Sequence, residues 1–140
     1  MKILLAADGS KFTKKALAFL VTHEGLLEKD GELHVLYVQP SLPPRVKSAL
    51  TREMTQSYYL DESEKVLMPI RKFLQRHPVT FRADWVAGVA ADEIIQAATV
   101  DKAHLIVMGT HGHGALARMV LGSVAQRVVS SCEIPVLLVK

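Results

Sequence analysis

A chain of 140 residues, 49% of them hydrophobic and only 6% aromatic, makes one ordinary domain, 1–140, packed mainly by aliphatic side chains. Its 17 basic and 14 acidic residues leave a net charge of +3, too small and too dispersed to point to nucleic acid. Cys132 is the one cysteine, which excludes an internal disulfide and suits a cytoplasmic location. No apolar run approaches the roughly 18 residues of a membrane span. The first residues, Lys2, a short apolar run and then Asp8, do not read as a signal peptide.

Residues 2–7 read as a short buried strand that stops at Asp8-Gly9-Ser10. A helix follows, its broad apolar stripe running through Phe12, Ala16, Phe19, Leu20, His23 and Leu27, with Ser10 as its N-cap. An acid at the end of a first buried strand has two uses: Asp8 caps the next helix, or it orients a ligand or a ligand's metal ion. Gly31 closes this unit and residues 33–38 form a second strand containing His34. Pro40, Pro43 and Pro44 make 39–47 a loop, either a lid or a surface crossover. A long helix from about Thr51 to Arg76 takes its apolar side from Tyr58, Tyr59, Leu60, Val66, Leu67 and Ile70.

Pro78 introduces a third strand over 80–86, whose loose alternation suits a sheet edge. Gly88 turns the chain into a short helix that buries Val89, Ala90, Ile94, Ile95 and Ala98, with Asp92 and Glu93 in its first turn. Leu105-Ile106-Val107-Met108 is a strand buried on both faces. A loop holding Gly109, Gly112 and Gly114 comes next, and an amphipathic run starts near Ala117, is interrupted at Gly122-Ser123 and ends near Ser131. The last strand occupies 134–139. Strand and helix thus alternate, which makes an α/β fold: an open, mostly parallel five-stranded sheet with helices on both faces.

Glycines after a buried strand admit an anion to the backbone N–H groups, and Gly122-Ser123 adds a helix start and a hydroxyl. The same glycines also serve a plain tight turn. Two known phosphate motifs fail here. Gly112-His-Gly-Ala-Leu-Ala117 has the dinucleotide spacing but lies in the last third of the chain, and no lysine precedes Ser123 as a Walker loop requires. Gly109-Thr-His-Gly112, nine residues and then Gly122-Ser123 resembles the G-x2-G-x9-G-[ST] signature of ATP-binding universal stress proteins. The opening MKILLAADGS, the fourth strand LIVMGTHG and the closing PVLLVK agree with that family, so the resemblance spans the chain.

The resemblance implies an adenine-nucleotide alpha-hydrolase-like sheet in the order 3-2-1-4-5, which sets Asp8 and the Gly109 loop across one crevice. It implies ATP as ligand: Ala7 and Asp8 beside the ribose and phosphates, and Val38 offering its backbone to adenine. Met108, Gly109, His111 and Gly112 would line the nucleotide, with Gly122, Ser123 and Val124 around the phosphates. Mg2+ would arrive with the nucleotide and use Asp8 and Ser123. Arg118 and Lys11 are the cations in reach of the phosphates.

The apolar last strand would be an exposed edge, so a homodimer through Pro135, Val136, Leu137, Leu138 and Val139 is expected. His104, His111 and His113 do not form a transition-metal motif, and Cys132 reads as a small buried hydrophobe. No general base or nucleophile elbow stands out. The expected role is therefore a nucleotide-dependent stress-response sensor or regulator with slow or no hydrolysis, acting on an unknown regulatory protein partner. The competing reading is a dimeric stress-associated scaffold whose glycine loop is structural. A flavin carrier is a third reading, and it lacks an aromatic stacking loop.

Overall fold

The alternation of apolar residues determines which helix covers which face of the sheet. In the computed structural model, which describes residues 1–114 and 120–140, β1 (Lys2–Ala7), β2 (Glu32–Gln39), β3 (Phe81–Ala87), β4 (Leu105–Gly109) and β5 (Val136–Val139) form one sheet. Its order is β3-β2-β1-β4-β5 and every pairing is parallel. Ile3, Leu5, Leu33, Val35 and Val107 point to one face, where they meet Ala16, Leu17 and Leu20 of α1 (Lys11–Thr22). Leu67, Ile70 and Leu74 of α3 (Arg52–Leu74) complete that layer. Leu4, Leu36, Ile106 and Met108 point the other way, against α4 (Ala90–Val100) and α5 (Ser123–Ser131). Leu4, Leu5, Ile106 and Val107 have no exposed surface, as central strands of a doubly covered sheet require.

Several local expectations need correction. The proline segment holds a one-turn helix, α2 (Pro44–Ser48), because Pro44 falls at its first position, where the missing N–H costs nothing. Tyr58 and Leu60 are not on the packed side of α3 but exposed at 41% and 47%. The buried line runs Thr55, Tyr59, Ser63, Leu67, Ile70, Leu74, and the two residues flanking Tyr59 are turned about 100° away from it. Val89 is 55% exposed because it is the N-cap of α4 rather than part of its face.

α1 stops at Thr22, so His23 is an exposed C-cap, and a 3-10 turn over Glu24–Leu26 brings Leu27 back to the core. β5 starts at Val136 rather than 134; Pro135 has no N–H for the ladder, and its carbonyl accepts from Ile106. α5 does end at Ser131, with Cys132 half-buried against the core beneath it. The amphipathic start near Ala117, and Arg118 with it, lies outside the described residues. β3 is an edge strand, as expected, and among the described residues no helix is long and apolar enough to cross a membrane.

Candidate functional site

The chain reverses its direction of travel across the sheet between β1 and β4, and a crevice opens beyond the carboxyl ends of those two strands. A cavity of about 440 Å3 fills it. Ala7 and Asp8 enter it from the end of β1, Val38 from β2, and Met108 and Gly109 from β4. His111 and Gly112 border it from the glycine loop; Gly122, Ser123 and Val124 border it from the start of α5. The structure therefore brings all ten expected residues, drawn from four separate stretches of chain, around one space.

Asp8 is held by the first turn of α1. Its Oδ1 accepts the backbone N–H of Ser10 and the hydroxyl of Thr13, both at 2.9 Å, and its own N–H donates to Thr13 Oγ1 at 3.0 Å. The second oxygen, Oδ2, faces the glycine loop: a Cβ on Gly112 would stand 2.5 Å from it. One Asp8 oxygen therefore binds the start of α1 and the other is turned to the crevice. Ser10 occupies the N-cap position but makes no capping bond; its own N–H is held by Asp8. Its buried Oγ has no hydrogen-bond partner among the described residues, although Ser10 lines the cavity.

The other glycines are packed too. A Cβ on Gly109 would run into the Phe12 side chain, and one on Gly122 would press on His111 and the Thr110 carbonyl at 3.2 Å. Gly122 also donates its N–H to the Thr110 carbonyl at 2.6 Å, closing the loop onto the start of α5. The N-cap of α5, Gly122, has no side chain to cap it, and Gly122, Ser123 and Val124 at that helix start line the cavity. His111 Nδ1 lies 2.9 Å from Thr110 Oγ1, and its ring packs at 5.5 Å from Phe12.

The remaining walls are apolar or aromatic: Leu36, Pro40 and Tyr37 from β2 and its exit, Ala90 and Ile94 from α4. Burial pushes the Tyr37 hydroxyl above its ordinary pKa, and the charges of Glu62 and Asp8 push the same way. Phe12, Thr13 and His113 were missed as site residues. Thr13 carried a signal, since five residues beyond Asp8 is one turn into the helix that follows. Lys11 is instead 5.3 Å from the Phe12 ring centroid, on the exposed side of α1.

A second cavity, of about 580 Å3, lies at the opposite end of the sheet. Part of its polar lining is tied together: His34 Nδ1 and Arg82 both donate to the Asp101 carboxylate. His104 Nδ1 accepts the Lys2 N–H. These histidines join segments of the fold. Among the described residues no group of three His, Cys, Asp or Glu side chains is placed to hold a metal ion.

The comparisons with known proteins agree with this architecture. A universal stress protein of Methanocaldococcus jannaschii, MJ0531, is 33% identical over 99% of this chain and 81% of its own length. A universal stress protein of Thermus aquaticus is 34% identical over 99% and 97%. The solved structure of the protein MJ0577 superposes with a TM-score of 0.84 at 27% identity, covering 99% of this chain and 94% of that one. The model of the universal stress protein family matches residues 1–140 from end to end. With the sheet order, the crevice and the sequence likeness all in accord, the chain belongs to the universal stress protein family.

Proposed function

We propose that this protein binds ATP with Mg2+ in the crevice and serves as a nucleotide-dependent sensor or regulator of a stress response, with slow or no hydrolysis. The observation that carries the reading is the make-up of one cavity: apolar Leu36, Val38, Met108 and Ile94 share it with the helix start at Gly122-Ser123. A flat aromatic base suits the first set and phosphate oxygens suit the second. The buried orphan hydroxyl of Ser10 and the inward Oδ2 of Asp8 are polar groups that a ribose would satisfy. Two proteins of the same fold support the class of ligand: one from Archaeoglobus fulgidus was solved with dAMP, and one from Arabidopsis thaliana with AMP.

Magnesium fits the donor set. Asp8 Oδ2 and Ser123 Oγ are hard oxygen donors, and two of them suit an ion that brings phosphate and water ligands with it. When bound, the ion would neutralise phosphate charge where a Walker lysine is lacking. Fast turnover needs a positioned base, and two of the candidate atoms are engaged: Asp8 Oδ1 by two donors and His111 Nδ1 by Thr110. These engagements support binding without rapid hydrolysis.

The same proposal places the protein in the cytoplasm as a homodimer through β5. That strand is the free edge of the sheet, and its four apolar residues are all only half-buried. Occupancy of the crevice would then alter the dimer surface read by a regulatory protein partner.

One observation favours the scaffold reading instead: Gly109, Gly112 and Gly122 each have a close packing neighbour, ligand or no ligand, and the Phe12 side chain leaves no room for a Cβ at Gly109. Replacing those glycines therefore does not separate the two readings. Calorimetric titration of Mg-ATP into wild type and Asp8→Asn does, because the amide keeps the Oδ1 contacts and removes the charge. The nucleotide reading expects saturable binding with an altered affinity in the variant. Absence of heat in both supports the scaffold, and turnover near 1 per second or faster that Asp8→Asn abolishes overturns slow hydrolysis.

A further inference from the structure

The glycine loop is tied across the crevice by one side chain that the nucleotide reading does not use. His113 Nε2 lies 2.8 Å from the backbone carbonyl of Asp8, joining segments 105 residues apart. The acceptor is a carbonyl, so Nε2 carries the hydrogen and Nδ1 is left for other partners. The imidazole lies over Gly9, where a Cβ would be 3.9 Å from Nε2 and 3.4 Å from Val66 of α3. Gly9 itself has φ +78°, the left-handed turn that presents the Asp8 carbonyl to the loop. His113 stands between Gly112 and Gly114, and Gly114 has φ +71° with no atom of the described residues within 4 Å of its Cβ position. An exposed side chain between two glycines stands on backbone free enough to swing out.

We propose that His113 is a strap: its bond to the Asp8 carbonyl closes the glycine loop over the crevice, and the loop must let go of it each time a nucleotide enters or leaves. This rests on the nucleotide reading for its ligand but not for the strap itself. A strap and a ligand contact differ in kinetics. Removing a contact speeds dissociation alone, whereas removing a strap speeds both entry and exit and changes affinity little.

The test uses His113→Ala, His113→Gln and His113→Asn. Glutamine places a donor near the position of Nε2, whereas asparagine places one near Nδ1 and falls short. The first readout needs no ligand: amide hydrogen exchange of residues 109–114. Loss of one exposed hydrogen bond is expected to speed it about fivefold in the Ala and Asn variants and to leave the Gln variant near wild type. Exchange unchanged in His113→Ala, or as slow in Asn as in Gln, overturns the strap.

The second readout is stopped-flow binding of a fluorescent adenine nucleotide. Association and dissociation rate constants are both expected to rise about fivefold in His113→Ala. A rise in dissociation alone makes His113 a ligand contact and overturns the proposal. If wild type takes up no nucleotide while loop exchange still accelerates in the Ala and Asn variants, the nucleotide reading fails and the strap stands as a clasp between loop and turn.

Discussion

Thr13 and Asp8 hold each other twice. The threonine hydroxyl donates to Asp8 Oδ1 and accepts from the Asp8 backbone N–H, at 2.9 and 3.0 Å, while Thr13 itself is buried. This reciprocal pair fixes the chain direction at the end of β1 and decides which carboxylate oxygen reaches the crevice. Thr13→Val keeps the shape and removes both bonds. Thermal unfolding is expected to show a loss of about 1–2 kcal/mol, since two buried polar groups lose their partner. Nucleotide affinity is expected to fall with it, because only the Ser10 N–H then holds Asp8 Oδ1.

Ser10 and Ser63 separate binding from stability. Both hydroxyls are buried without a partner among the described residues, but only Ser10 lines the cavity. Removing an unsatisfied buried hydroxyl relieves a desolvation cost, so each serine-to-alanine change is expected to leave stability level or raise it by up to about 1 kcal/mol. Ser10→Ala weakens nucleotide binding severalfold and Ser63→Ala does not. Equal binding by the two variants, measured by calorimetry, removes Ser10 from the site.

Asp101 supplies the acid limb of the stability curve. Burial raises its pKa, but the His34 hydrogen bond, the His34 charge and the Arg82 guanidinium together outweigh burial and hold it below the ordinary 3.8. A carboxylate depressed in the folded state stabilises the fold fully above its unfolded pKa and ceases to as pH falls through the folded one. Urea midpoints measured from pH 5 downward should therefore drop below about pH 4. In Asp101→Asn that part of the drop disappears.

The outer edge of β5 is testable by backbone chemistry alone. The carbonyls of Pro135 and Val139 accept from Ile106 and Thr110, so residues of that parity face β4 and Leu138, between them, turns its N–H outward. Leu138→Pro removes the outward donor without touching the ladder to β4. Sedimentation velocity at tens of micromolar should show wild type as a dimer and Leu138→Pro as a folded monomer. A monomeric wild type contradicts the edge dimer.

How far the sequence foretold this molecule depends on the range of the interaction. The strands announced themselves through runs such as Leu105 to Met108, and the order of elements followed, because burial on both faces leaves little choice of residue. Strand order came from family resemblance, as apolar runs carry no label for their neighbours.

The face of α3 was misread because polar Thr55 and Ser63 sit on its buried line while Tyr58 and Leu60 do not. A pattern of hydrophobicity cannot show that. His34 with Asp101, and His113 with Asp8, meet across 67 and 105 residues, beyond any local pattern. The ten candidate residues around the crevice came from the family resemblance that the glycine spacing carried; the close contacts of three of those glycines with Phe12, Asp8 and His111 were not legible.

The central claim is that the crevice holds an adenine nucleotide. The most direct measurement is to denature freshly purified protein and identify released nucleotide by anion-exchange chromatography, followed by calorimetry with Mg-ATP on the emptied protein. The account predicts adenine nucleotide released in near-stoichiometric amount, or saturable heat on adding Mg-ATP. A protein that releases nothing and gives no heat contradicts it, and leaves the glycine loop as a structural turn.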